Sequence, residues 1–63
     1  MPYRVTVKRL NGNQVTADNI IDGRTPKPGE LVRVESGKVT VSATVELVIE
    51  RSTFDLVTAV EVE

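Results

Sequence analysis

The chain predicts an all-β domain, and three observations carry that prediction. Between Val39 and Ile49 every odd position is aliphatic, and every even position except Val48 is polar. A period of two sets Val39, Val41, Ala43, Val45, Leu47 and Ile49 on one side of an extended ribbon, with Thr40, Ser42, Thr44 and Glu46 opposite. The apolar inventory is mostly valine, twelve residues against four Leu and three Ile, and a branched Cβ suits a pleated surface better than a helix. No segment shows capped three-four spacing of apolar residues, so no helix is expected beyond a single turn within 18–24.

The elements follow in order. Tyr3, Val5 and Val7 alternate with Arg4, Thr6 and Lys8 in a first strand, and Asn11-Gly12-Asn13 is a strong turn signal. A three-residue loop there sets Val7 beside Ala17, whereas a two-residue Gly12-Asn13 loop pairs Leu10 with Val15. The sequence leaves both open. A second strand runs from about Gln14 to Ile21, with a bulge expected where Asp18-Asn19 breaks its alternation. Residues 22–29 read as a loop, and Lys27-Pro28-Gly29-Glu30 fits a type II turn with glycine at the third position. A third strand covers 31–35.

Register is then checkable. A Ser36-Gly37 hairpin loop opposes Glu35 to Lys38, Val34 to Val39 and Val32 to Val41, so the aliphatic faces coincide. A four-residue loop over 50–53 opposes Ile49 to Phe54, Leu47 to Leu56, Ala43 to Val60 and Val41 to Val62. Both turns agree on one buried face. The architecture expected is a five-stranded antiparallel meander closing into a small barrel or a two-layer roll. The fourth strand spans roughly 36 Å at ~3.3 Å per residue, so it must bend, and small Ala43 is the expected corner.

Sixty-three residues make a single domain, 1–63, near the lower limit for an unaided core. No Cys and no His remove disulfides and the usual zinc sites, leaving self-association as the remaining stabilising device. The alternative architecture is accordingly an open sheet completed by a homodimer. Met1-Pro2-Tyr3-Arg4 leads into a strand pattern rather than a charged leader with an apolar run, and no stretch approaches ~20 apolar residues. With the lack of Cys, a cytoplasmic location and no membrane contact are expected.

Chemistry is sparse. Without His or Cys the commonest general base and the best nucleophile are missing, and a Ser-His-Asp triad is impossible. Glu46 and Glu50 lie roughly 13 Å apart by strand rise, beyond the ~5–9.5 Å of paired catalytic carboxylates. Asp18, Asn19 and Asp22 lack calcium-loop spacing and are explained as turn formers. The glycines fall singly in different turns, so no phosphate-binding loop forms. No catalytic, cofactor-binding or metal residues are assigned, and no small-molecule substrate is evident.

Two surfaces are expected instead. Val48, Val57 and Ala59 fall on the nominally wet face of the last hairpin and form a candidate protein interface, with self or another protein as partner. Arg4, Lys8, Arg24, Lys27 and Arg33 form a candidate basic patch for nucleic acid, against which stand a net charge of −1 and few aromatic residues. Charge is unevenly spread. Residues 1–33 carry six Lys/Arg and three acids, a net +3, whereas 34–63 carry two Lys/Arg and six acids, a net −4. Opposite halves attract within the fold or between subunits. The last strand is expected at a sheet edge, where Glu61 and Glu63 discourage pairing with another chain.

The segment Pro26-Lys27-Pro28-Gly29-Glu30-Leu31-Val32-Arg33-Val34 resembles the turn-into-strand element of SH3-like small β-barrels. The resemblance covers nine residues and implies fold alone, since that fold hosts many functions. The expectation for the whole chain is a non-enzymatic interaction module or accessory subunit that self-associates, the alternative being a small-barrel nucleic-acid binder.

Overall fold

The computed structural model describes residues 2–62 and is all-β, with no helix among the described residues. The strands are β1 (Pro2–Lys8), β2 (Gln14–Thr16), β3 (Ile21–Asp22), β4 (Leu31–Ser36), β5 (Val39–Ile49) and β6 (Asp55–Glu61). They form one sheet in the order β2-β1-β6-β5-β4, with β3 also pairing to β1, and this sheet curls into an open half-barrel. The expected closed antiparallel meander is therefore corrected. β1 joins β6 in parallel, with Val5 beside Val57 and Val7 beside Ala59. One edge of β6 is taken by β5, and its other edge accepts a first strand of matching alternation. β6 is thus central, and the edge role expected of Glu61 does not arise; Glu63 lies outside the described residues.

The turns account for the registers. Lys27-Pro28-Gly29-Glu30 closes as expected, with Glu30 N–H donating to the Lys27 carbonyl at 3.0 Å and Gly29 at φ 94°. The β4–β5 turn sits one residue later than expected: Ser36 pairs with Val39, and Gly37-Lys38 forms the loop. Gly37 has φ 60°, the type II′ requirement at the first central position. The change moves every pair by two residues in total, which keeps the faces, so Val34 meets Val41 and Val32 meets Ala43. In the first hairpin Val7 pairs with Val15, matching neither expected register. Arg9 N–H donates to the Asn13 carbonyl at 2.7 Å and Asn13 N–H to Asn11 Oδ1 at 3.0 Å, so an Asx turn builds a longer loop. Instead of a bulge at Asp18-Asn19, strand structure stops after Thr16 and resumes at Ile21.

The bulge lies in β5. Val45 pairs with Ala59 and Leu47 with Thr58, leaving Glu46 as an extra residue. Two consecutive outward residues there reverse the alternation of everything beyond. Val41, Ala43 and Val45 point inward, as expected, but Leu47 and Ile49 point out and Val48 packs against the core. The bend of β5 is thus at Glu46 rather than Ala43, and it lets the eleven-residue strand fit a body whose longest dimension is 31 Å. β6 is turned over likewise: Val57 and Ala59 face in, and Leu56 and Val60 face out.

The core cluster is Val5, Val7, Ala17, Val34, Val41, Ala43, Val45, Val57 and Ala59, with Tyr3, Val32 and Val48 packed at its margin. It holds six valines and three alanines. No leucine or isoleucine belongs to it. Among the described residues, two ion pairs tie the oppositely charged halves together: Lys8 with Glu46 at 3.7 Å and Arg9 with Glu61 at 3.2 Å.

Candidate interaction surfaces

The expected interface of Val48, Val57 and Ala59 is corrected by these facts. Val57 is 1% exposed and Ala59 is fully enclosed, so neither is available to a partner. The cause is the bulge at Glu46 together with the shifted β5–β6 register, which exchanges the two faces of the hairpin. Leu47, Ile49, Leu56 and Val60, placed inside by the sequence pattern, lie on the outer face instead.

That outer face is built across three strands. β1 supplies Thr6 and Lys8, β6 supplies Leu56, Thr58 and Val60, and β5 beyond the bulge supplies Leu47 and Ile49. Leu47 is 52% exposed, Ile49 44% and Val60 39%. A shallow groove of about 360 Å³ runs among Thr6, Lys8, Glu46, Leu47, Ile49 and Leu56. Lys8 and Glu46 form its polar lip, and each of these side chains is about half exposed. Their attraction in water is small, so either can change partner at little cost.

The five candidate basic residues are distributed among different tasks. Lys8 faces Glu46, and Arg24 lies 3.4 Å from Glu30. The Arg4 guanidinium donates to the Ala17 carbonyl at 3.4 Å through Nε and Nη2. Lys27 stands exposed in the type II turn, and Arg33 lines the hollow beside β4. Three of the five are thus already engaged.

Two polar arrangements were not legible in the sequence. Glu61 accepts from Leu10 N–H at 3.0 Å and from Arg9 at 3.2 and 3.4 Å, pinning the first loop to β6. The Leu10 amide, and then the Arg9 guanidinium, hold its carboxyl below the ordinary value. Asp55 is buried at the start of β6, where the Thr25 hydroxyl donates to its Oδ2 at 2.7 Å and its Oδ1 has no partner among the described residues. Nothing in residue spacing joins 9 to 61 or 25 to 55; only the parallel β1–β6 pairing and the 23–30 loop bring them together.

Comparison with known protein families, with curated proteins and with solved structures finds no match.

Proposed function

We propose that this chain is a non-enzymatic protein-interaction module that associates with a second copy of itself through the outer face of β5 and β6. One observation carries the reading: among the described residues the buried aliphatic side chains are all valine and alanine, while the leucines and isoleucines lie toward the outside. Three of those, Leu47, Ile49 and Leu56, line a single groove, with Val60 beyond Thr58 on the same face of β6. Fully burying such a side chain is worth about 1.5–3 kcal/mol, so covering the exposed halves of Leu47, Ile49 and Val60 in two copies contributes about 1 kcal/mol each. This is the gain that a 63-residue domain without disulfides needs.

A second copy suits the face because the face complements itself. It carries a base, Lys8, beside an acid, Glu46, so a two-fold arrangement presents each to its opposite on the other copy. The molecule measures 31 × 23 × 16 Å, so its broadest side is of the order of the ~800 Å² per partner that stable interfaces use.

Light scattering after size exclusion tests this. The wild-type chain should give a mass above that of the monomer, rising with concentration. Leu47→Glu combined with Val60→Glu should give a monomer with unchanged strand circular dichroism. A wild-type chain that stays monomeric at ~1 mM would end the proposal.

A further inference from the structure

β4 closes one end of the sheet, and the hydrogen bonds at its two ends fix the direction of its backbone groups. Val45 N–H donates to the Glu30 carbonyl, whereas the Glu35 carbonyl accepts from Asp18 N–H at 3.4 Å on the opposite side. Backbone groups alternate along a strand, so even residues of β4 point to β5 and odd ones point away from it. Leu31 and Arg33 therefore turn their N–H and C=O outward. Neither has a backbone partner on that side among the described residues.

A hollow of about 210 Å³ lies along this edge, between Arg33, Val34 and Glu35 on one wall and Ala17, Asn19 and Ile21 on the other. Its floor is apolar, since Ala17 and Val34 belong to the core. Even an apolar cavity of ~150 Å³ admits a benzene ring, so an aliphatic side chain has room here. One end is clasped: besides the Asp18–Glu35 bond, Gly37 N–H donates to Asp18 Oδ2 at 2.7 Å. The other end is open, and Leu31 there is 69% exposed. The charged lip carries Glu35 at the clasped end and Arg33 nearer the open end, and Arg33 has no acidic partner among the described residues.

We infer that this seam is a strand-addition site, which takes an extended acidic segment of a partner protein antiparallel to β4 at Leu31 and Arg33. Main-chain donors and acceptors spaced two residues apart are matched by another extended backbone, and an antiparallel strand meets both groups of each residue. Alternate side chains of the guest enter the hollow over Ala17 and Val34 and are aliphatic. Those on the other face lie beside Arg33, which selects a carboxylate. The Asp18 clasp stops the guest before Glu35. This site is separate from the outer face of β5 and β6, and it operates whether or not that face pairs.

Amide hydrogen exchange followed by NMR tests the inference with a short synthetic peptide that alternates valine with threonine and carries one central glutamate. In the free protein the Leu31 and Arg33 amides should exchange faster than those of Val32 and Val34, and the peptide should slow them on the order of tenfold. Arg33→Pro removes one outward N–H at an edge position where proline is tolerated, so the fold should persist and the peptide effect should vanish. Arg33→Ala, which keeps the N–H, should retain a weakened effect. The inference is overturned if Leu31 and Arg33 are protected like Val32 and Val34 without peptide, if ~1 mM peptide leaves them unchanged, or if Arg33→Pro binds as the wild type does. Equal slowing by a peptide with lysine in place of the glutamate removes the acidic requirement. Because Arg33→Pro leaves Leu47 and Val60 untouched, loss of this site is distinguishable from loss of self-association.

Discussion

The two faces of the β5–β6 hairpin are made of similar residues and have opposite fates. Inside lie Val41, Ala43, Val45, Val57 and Ala59; outside, over the same strands, lie Leu47, Ile49, Leu56 and Val60. A rule that sends the more hydrophobic set inward would choose the second group. Volume decides otherwise. The curled sheet brings β1, β5 and β6 around one interior, and the buried aliphatic side chains that fill it are the small ones, valine and alanine. The bulge at Glu46 is the device that makes the choice, because it hands the two leucine-and-isoleucine positions beyond it to the exterior.

The largest test of this contrast sets Val57→Asp against Leu47→Asp. The first introduces a carboxylate at a position 1% exposed, with no partner, and should unfold the domain, since its whole stability is of order 3–5 kcal/mol. The second changes an exposed position one strand away and should shift the monomer's stability by no more than about 0.5 kcal/mol. Urea unfolding at low protein concentration measures both. If Leu47→Asp proves as damaging as Val57→Asp, the two faces are not distinct in the way described.

A deletion sharpens the comparison further. Removing one residue from a strand normally sends all later side chains to the wrong face. Deleting Glu46 should not, because Val45 opposite Ala59 and Leu47 opposite Thr58 then become neighbours in a regular ladder, with Val48 still inward. The expected outcome is a folded protein destabilised by about 1 kcal/mol, with its sheet less curled and Lys8 without its acid. Deleting Thr44, within the regular part of the strand, should be far more harmful. Thermal unfolding of the two deletions tells the cases apart; equal damage would mean that Glu46 is an ordinary strand residue.

The sequence showed which segments are strands because alternation is local. Alternation alone puts Val5 and Val7, Val32 and Val34, and Val41, Ala43 and Val45 on the face they occupy. The Lys27–Glu30 turn was legible too, since Pro28 and Gly29 each fix a backbone angle. Past Glu46 the same pattern misled, because a bulge adds a residue without disturbing the local alternation of aliphatic and polar positions. By that alternation alone Val57 and Ala59 fall outside, and the true apolar surface falls inside. The parallel union of β1 with β6 was illegible for a different reason. It joins the two ends of the chain and leaves no turn between them to be read. The seam beside β4 follows from that same union, which fixes the sheet order and leaves β4 at its end.

The smallest expected effect concerns Glu61, where the outer rim of the same sheet is held by charge rather than by volume. Its carboxyl is held low by the Leu10 N–H first and by Arg9 second. A group whose folded value lies below its unfolded value stabilises the fold above the unfolded value, and that contribution is lost as pH falls through the folded one. Acidification should therefore free the 9–13 loop before the Val and Ala cluster responds, because none of the described residues of that cluster carries a titratable group. The Leu10 amide resonance, followed by NMR, should move with a midpoint below that of an ordinary glutamate, while the Val57 and Ala59 amides stay in place. Glu61→Gln should abolish the transition at Leu10 and leave the fold intact, since an amide oxygen still accepts from Leu10 N–H but no longer pairs with the Arg9 charge. A Leu10 transition that survives Glu61→Gln would assign the loop's anchor to some other group, and with it the link between the basic first half and the acidic second half of the chain.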